Sequence, residues 1–193
     1  MYKFLAWLLY IPLWLLSLLP LRVHYLLSDV ISWLLRDVVK YRRDVIETNL
    51  AAAFPDLPGG KRSKIIRDYY AWLGDVVVEM VWSLTRSGEH ISRRGFYSID
   101  PESERVMNDA YRSAPSVMAL LAHTGNWELA SDVPFYMAHP AFGSADMTVT
   151  YQTLHNPLSE ELFKLLRRAR LKKAESLVAS HKVLRFMLEH KAE

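Results

Sequence analysis

A histidine and a glutamate stand five positions apart on either side of a Gly-Asn dipeptide in the middle of the chain. An apolar run ends at His123, and Gly125-Asn126 separates it from Glu128. On one continuous helix, positions five apart lie about 140° from each other, so the two side chains meet only if the chain turns between them. We expect a strand that ends at His123 and a helix that begins near Gly125. The imidazole would then lie at the carboxyl end of a strand, where open α/β sheets place their chemistry.

Such a pair has the composition of a general base and its partner. A carboxylate holds one ring nitrogen of a histidine as N–H, leaves the other nitrogen free to accept a proton, and favours the imidazolium that forms. A hydroxyl group is the natural proton donor at neutral pH. The alternative is a buried structural histidine followed by a helix-initiating glutamate, and the spacing alone is compatible with both interpretations.

Other catalytic chemistries fit the sequence poorly. The chain contains no cysteine, which excludes disulfides, thiol nucleophiles and cysteine-based metal sites. Ser144 lies in a Gly-Ser-Ala-Asp context that lacks the second glycine of a nucleophile elbow. The sequence has neither a His-Glu-x-x-His zinc motif nor a Gly-rich phosphate loop. We therefore expect no metal ion and no cofactor.

The first 35 residues predict contact with a membrane. Residues 4–21 carry no charge, and their number is at the lower limit for a transmembrane helix. Pro12 interrupts this run, which membrane helices tolerate better than water-soluble ones. Residues 23–35 are too short and too polar to span, and we interpret them as an interfacial helix. The alternative is a buried pair of core helices.

Basic residues form two clusters, one directly after the apolar segments and one in the last turns of a later predicted helix. Such clusters usually form a solvated helix face. The functional interpretation is that they attract anionic lipids or an acidic protein. A single aromatic residue, Tyr41, lies within the two clusters and no known binding motif appears, so we expect no nucleic acid partner. The first cluster places the rest of the chain in the cytoplasm by the positive-inside rule. The clusters are Arg36, Lys40, Arg42 and Arg43, and Arg167, Arg168, Arg170, Lys172 and Lys173.

Helices and strands alternate in the second half of the chain. Hydrophobic periodicity and capping residues predict helices at 43–54, 61–85, 101–112, 127–137, 159–173 and 182–190. Strands are predicted at 91–99, at a segment ending at residue 122, at 147–151 and at 177–179. This order favours an α/β layer after an all-helical first part. We expect a membrane anchor and interfacial helix at 1–40 and one domain at 41–193.

The motif around His123 is similar to the signature of the bacterial lipid A biosynthesis acyltransferases, which are related to the lysophospholipid and glycerolipid acyltransferase superfamily. Two further blocks match that family in the right order, one before the motif and one after it. The motif reads Leu120-Leu121-Ala122-His123-Thr124-Gly125-Asn126-Trp127-Glu128-Leu129-Ala130, the upstream block contains Tyr41-Arg42-Arg43, Asn49-Leu50 and Ala53-Phe54-Pro55, and the downstream block contains Tyr151-Gln152, Asn156-Pro157-Leu158 and Arg167.

The resemblance implies both a fold and a reaction. The fold is a set of N-terminal membrane-associated helices followed by a glycerolipid-acyltransferase-like α/β domain, located at the cytoplasmic side of the cell inner membrane. The reaction transfers a fatty acyl chain from acyl carrier protein to a hydroxyl of a lipid A precursor, with His123 as general base and Glu128 as its partner. The resemblance further implies that substrate contacts come from Gly125, Asn126, Tyr151, Asn156 and Arg167.

Three points remain open at the level of the sequence. Arg167 is followed by Arg168-Ala169-Arg170 where the family more often has Arg-Phe-Gly, so the basic residue that stabilises the oxyanion is one of three arginines. The chain stops while the α/β pattern continues in family members, and we expect it to be the larger N-terminal part of such an enzyme. The alternatives are a lysophospholipid or glycerol-phosphate acyltransferase with the same His-carboxylate pair, and an inactive truncated membrane protein.

Overall fold

The computed structural model describes residues 1–122, 124–143, 146–170 and 176–190. These residues are mostly helical, with one small parallel sheet, and they form two compact units. The first unit combines Met1–Ser17 with Ser83–Glu193, and the second unit is Leu18–Trp82. The predicted division into an anchor at 1–40 and a domain at 41–193 concerns function, and it stays a prediction.

The second unit contains helices α2, α3 and α4. Helix α2 (Leu21–Trp33) continues into a π-helical turn (Leu34–Val38), and α3 (Arg43–Ala53) and α4 (Gly59–Ser83) follow. The Tyr70 hydroxyl donates a hydrogen bond to the Tyr41 carbonyl oxygen at 2.8 Å. These helices confirm the predictions at 43–54 and 61–85 and the helical state of 23–35. Their apolar core consists of Leu50, Ile66 and Tyr70, packed against Leu35, Ile46 and Leu57.

The first unit contains the remaining elements. Its N-terminal helix α1 (Tyr2–Ser17) packs along α8 (Pro157–Arg170), and Ala6 of α1 is 1% exposed. The elements are α1 (Tyr2–Ser17), α5 (Gly88–Ser92), α6 (Pro101–Ser113), a 3-10 helix (Trp127–Asp132), α7 (Val133–Tyr136), β1 (Thr148–Tyr151), α8 (Pro157–Arg170), β2 (Ser176–Ala179), a second 3-10 helix (Ser180–Lys182) and α9 (Val183–Glu189).

The sheet is a single β-α-β unit. Strands β1 and β2 pair in parallel, with Thr148 opposite Ser176 and Tyr151 opposite Ala179, and α8 connects them. Parallel strands need such a crossover, and a helix usually provides it. The strand predictions at 147–151 and 177–179 are therefore confirmed, as are the helix predicted at 182–190 and the part of the helix predicted at 159–173 that ends at residue 170. Residues 171–173 of that prediction lie outside the described residues. The predicted α/β arrangement is therefore confirmed only for β1, α8 and β2, since the other described elements are helical.

Helix α6 begins where the sequence predicts and holds the loop after α7. The Asp100 carboxylate accepts hydrogen bonds from the N–H groups of Glu102 and Ser103, so Asp100 is the N-cap before Pro101. One turn later, the buried Glu104 carboxylate accepts from the backbone N–H groups of residues 138 and 139 at 2.8 and 2.5 Å.

The strand predicted at 91–99 is wrong. Helix α5 occupies the start of this segment because Ser87 caps it and accepts a hydrogen bond from the His90 N–H at 3.2 Å. Gly88 packs so closely on Phe135 that a Cβ atom would lie 2.2 Å from the phenyl ring. The Ser92 hydroxyl donates to the Phe135 carbonyl oxygen at 2.6 Å. These contacts with α7 stabilise a helix where the sequence alone favoured a strand.

The apolar segment before the motif also departs from its prediction. Residues 114–122 form no strand, and all of them are exposed, including Leu120 at 88%. A strand needs a partner for its backbone groups, and hydrophobicity does not specify that partner. The prediction of a strand in this apolar run is therefore wrong for the described residues 114–122.

The uncharged run at 4–21 is divided between two helices. Helix α1 ends at Ser17, and α2 begins at Leu21 directly after Pro20, whose extended backbone precedes the helix. No helix among the described residues combines the length and the hydropathy needed to cross a membrane. Whether these residues contact a bilayer remains a prediction.

Candidate active site

The motif contains a sharp turn at Gly125. This residue has a φ of +58°, in the left-handed region that favours glycine. A Cβ atom there would lie 3.6 Å from the Tyr97 hydroxyl oxygen, an ordinary contact. The glycine is therefore required by the backbone conformation and not by lack of space. The turn that the sequence predicted between residues 123 and 128 is present.

Two tyrosines hold the segment after this turn. The Tyr97 hydroxyl donates a hydrogen bond to the carbonyl oxygen of Asn126, and the Tyr136 hydroxyl donates to that of Leu129 at 3.2 Å. The two rings pack with their centroids 5.3 Å apart. Leu129 is completely buried and Asn126 is 8% exposed. The backbone of the motif is thus fixed by packing and by hydrogen bonds from outside it.

Glu128 lies in the first turn of the 3-10 helix that starts at Trp127, and it is partly buried. The Leu129 N–H donates to the Asn126 carbonyl oxygen at 3.1 Å, which closes this first turn. The sequence predicted a helix at 127–137 with Glu128 near its start, and the 3-10 helix followed by α7 confirms this. His123 lies outside the described residues, so its pairing with Glu128 stays a prediction.

A second group of predicted site residues surrounds Arg167 on α8. Its guanidinium carbon lies 4.1 Å from the centre of the Tyr151 ring, a cation–π distance. The Nη2 group donates to the Gln152 carbonyl oxygen at 3.1 Å, and Nη1 lies 3.7 Å from a carboxylate oxygen of Glu160. The structure therefore brings Tyr151 and Arg167 together at the end of β1.

The Nη1 atom of Arg167 is buried and has no hydrogen-bond acceptor among the described residues, because the carboxylate of Glu160 is too distant. The side chain is 16% exposed. Arg168 is exposed, and the side chain of Arg170 lies outside the described part. Arg167 thus has a polar hydrogen available for a ligand oxygen.

Asn156 has a structural role at the start of α8. Its side-chain oxygen accepts hydrogen bonds from the N–H groups of Leu158 and Ser159 at 3.0 and 3.1 Å. With Pro157 as the first helical residue, this is an N-cap arrangement. The substrate contact predicted for Asn156 stays a prediction, and its side-chain oxygen already serves the helix.

An open cleft of about 490 Å³ lies beside this second group. Lys164 donates to Glu161 at 2.9 Å, and this hydrogen bond lowers the pKa of the Glu161 carboxyl. Carboxylates border the cleft, since Glu160 and Glu161 are among its lining residues. None of the described motif residues lines it. Its lining consists of Met1, Tyr2, Lys3, Leu154, His155, Pro157, Glu160 and Glu161.

Within the described part of the chain, no three histidine or carboxylate side chains cluster so that they could hold a metal ion. The predicted site residues form two groups, Gly125, Asn126 and Glu128 in one, and Tyr151, Asn156 and Arg167 in the other. Tyr97 and Tyr136 are not predictable from the sequence, because their hydrogen bonds go to backbone carbonyls and leave no residue pattern. Gln152 belongs to the downstream block but is not among the predicted substrate contacts.

Comparison with protein families gives one match. The profile of the bacterial lipid A biosynthesis acyltransferases matches residues 1–190. No curated protein and no solved structure matches the chain. The matched residues include both groups of predicted site residues.

Proposed function

The chain belongs to the family of bacterial lipid A biosynthesis acyltransferases, and we propose that it moves a fatty acyl chain from acyl carrier protein to a hydroxyl of a lipid A precursor. Family membership makes the protein an acyltransferase of lipid A biosynthesis with a lipid acceptor. The donor, the acceptor hydroxyl and the catalytic residues are the parts that we propose.

In the proposed mechanism, His123 removes the proton from the acceptor hydroxyl while Glu128 orients the imidazole and stabilises its charged form. The oxygen attacks the thioester carbonyl, and a tetrahedral oxyanion forms. When this intermediate collapses, the carbon–sulfur bond breaks, and the imidazolium returns its proton to the departing thiolate. The products are an ester on the lipid and the free thiol of the carrier protein, and no acyl-enzyme is needed.

The turn at Gly125 is the observation that carries the mechanism. Its left-handed backbone lies between the sequence positions of the proposed base and its partner, and Glu128 follows in the first turn of a 3-10 helix. The N–H groups at the start of that helix are suited to negative charge. We therefore propose that backbone amides near Gly125 and Asn126 are donors to the oxyanion.

Arg167 is a second proposed source of positive charge for the oxyanion. Its ring contact with Tyr151 and its hydrogen bond to Gln152 hold the guanidinium in place, while the buried Nη1 has no acceptor among the described residues. A fixed donor of this kind stabilises developing negative charge better than a mobile one. Of the three candidate arginines, we therefore assign the oxyanion or substrate contact to Arg167.

Substitution of the proposed base tests the mechanism. We expect His123→Ala to abolish thiol release from acyl carrier protein in the presence of the lipid acceptor, and Glu128→Ala to reduce the rate at least about a hundredfold. His139→Ala and Glu89→Ala are matched controls, since both side chains are exposed and neither belongs to the motif. Normal turnover by His123→Ala would exclude His123 as the base.

A further inference from the structure

The guanidinium of Arg167 has neighbours from α8 and from the end of β1. Its carbon lies 4.1 Å from the centre of the Tyr151 ring and 5.6 Å from that of the Phe163 ring. Nη2 donates to the Gln152 carbonyl oxygen, and Nη1 faces the Glu160 carboxylate. Of these four neighbours, Glu160 is the one that carries a negative charge. It is therefore the side chain that can hold the guanidinium electrostatically.

Helical periodicity brings Glu160 and Arg167 together. Positions seven apart on a helix lie about 20° from each other, so the two side chains project from the same face of α8. Lys164 stands between them in the sequence, but it donates to Glu161 at 2.9 Å. The side chains of Glu160 and Arg167 are 13% and 16% exposed. Because charges that are largely buried are screened less than exposed ones, the carboxylate acts strongly on the guanidinium.

The Glu160 carboxylate is itself fixed by the backbone. Its Oε2 atom accepts a hydrogen bond from the Leu154 N–H at 2.8 Å, and the Glu160 N–H donates to the Asn156 carbonyl oxygen at 2.9 Å. The residue therefore links the start of α8 to the loop that follows β1. Its other carboxylate oxygen, Oε1, faces Arg167. A carboxylate held in this way is a fixed negative charge beside the guanidinium.

The distance between the two groups determines how Glu160 acts on Arg167. Its Oε1 atom lies 3.7 Å from Nη1, within the range of an ion pair but beyond that of a hydrogen bond. The carboxylate thus attracts the guanidinium without accepting the Nη1 hydrogens. Nη1 is buried and has no acceptor within the described part of the chain. This arrangement holds the cation in place and leaves its donor available for a substrate oxygen.

We propose that Glu160 is a positioning residue for Arg167, and that its carboxylate orients the guanidinium so that Nη1 donates to the oxyanion of the acyl-transfer reaction. The inference rests on the proposed function, in which Arg167 contacts the oxyanion or the substrate. Glu160 acts through Arg167, because its two oxygens are directed to the Leu154 N–H and to the guanidinium. A preorganised donor acts mainly in the transition state, so the loss of Glu160 should lower kcat and hardly change KM.

The substitution Glu160→Gln separates the charge from the hydrogen bond. The amide oxygen of glutamine can still accept from the Leu154 N–H, whereas the negative charge beside Arg167 is lost. We expect kcat for thiol release from acyl carrier protein to fall at least about tenfold, because the oxyanion donor is no longer held in place. Glu161→Gln is the matched control, since this neighbouring carboxylate pairs with Lys164. It should leave kcat within about twofold of the wild-type value.

A double substitution shows whether Glu160 acts through Arg167. We expect Arg167→Gln alone to lower kcat at least about a hundredfold. In the Arg167→Gln background, Glu160→Gln should have no further effect, because the group that it positions is absent. Independent effects of the two substitutions would overturn the proposal. So would a normal kcat in Glu160→Gln, or a raised KM with an unchanged kcat.

The side-chain NMR signal of Arg167 gives a readout that does not require turnover. In ¹⁵N spectra of arginine-labelled protein, its Nε–H resonance is identified by its disappearance in Arg167→Gln. We expect this group to be rigid in the wild-type chain and in Glu161→Gln, and mobile on the ps–ns timescale in Glu160→Gln. If the wild-type protein releases no thiol but shows this difference, the proposed reaction fails while the positioning of Arg167 by Glu160 is supported. Equal rigidity in all three proteins would reject the positioning role, whatever the turnover.

Discussion

Gly125 shows how a single backbone conformation shapes the predicted catalytic motif. Its left-handed φ lies two residues before the 3-10 helix that contains Glu128. The motif and its turn were predictable from the sequence, because a Gly-Asn pair between an imidazole and a carboxylate is a local signal. The two tyrosine hydroxyls that fix the turn were not predictable, since they come from residues 97 and 136 and bind backbone oxygens.

Replacement of Gly125 by alanine should affect catalysis more than stability. An L-residue in the left-handed region costs about 1 kcal/mol, or roughly 2–4 °C in Tm for a chain of this size. Gly95 is a matched control, with a φ of +71° and open space around it. We expect both alanine variants to lose similar stability in thermal unfolding. Only Gly125→Ala should lower the rate of acyl transfer, and equal rates in the two variants would contradict a catalytic role for the turn.

At the scale of helices and strands, elements that depend on neighbouring residues were predictable from the sequence. Elements that depend on distant partners were not. Asp100 caps α6 and Pro101 is its first residue, so the start of this helix was predictable from local residues. The segments at 91–99 and before residue 123 were misassigned as strands for different reasons. The first depends on Phe135, more than forty residues away, which packs on Gly88 and accepts from Ser92. The second is apolar enough for a strand but is exposed and unpaired in the described structure.

Helix α6 offers a second prediction, because Glu104 and Asn108 fix the loop at 138–141. Asn108 accepts from the Ala141 N–H at 2.7 Å and donates to the His139 carbonyl oxygen at 2.9 Å, beside the two bonds to Glu104. Glu104→Ala leaves two backbone N–H groups without their acceptor, and we expect it to lower the free energy of unfolding by about 2 kcal/mol or more.

Glu102 on the same helix provides the control for this measurement. Its carboxylate is 69% exposed and pairs with Arg105 at 2.7 Å, an interaction of the surface type. Glu102→Ala should therefore cost less than about 1 kcal/mol. Urea unfolding of the two variants under the same conditions measures both effects. Equal destabilisation would show that the hydrogen bonds from Glu104 to the loop contribute little.

For the whole molecule, composition and burial together are the basis of a prediction about where the protein works. Half of the residues are hydrophobic and the net charge is +3. Large apolar side chains are exposed on α1, including Phe4 at 72% and Leu8 at 58%, while Ser17 at its end is fully buried. The sequence predicted membrane contact from the uncharged run, but not that α1 and α2 each bury small or polar residues. That distribution depends on packing against α8 and α4, which hydropathy does not encode.

We therefore predict that the protein fractionates with the inner membrane and that residues after Arg36 face the cytoplasm. Both the exposed apolar residues and the basic residues that follow them favour this orientation. Ser98→Cys introduces an exposed thiol into a chain without cysteine. A membrane-impermeant maleimide should not label it in intact cells and should label it after the inner membrane is permeabilised. Ser113→Cys, which is also exposed, should give the same result because it lies on the same side. Labelling of Ser98→Cys from the periplasm of intact cells would reject the cytoplasmic location, and recovery of the protein in the fraction without membranes would reject the membrane location.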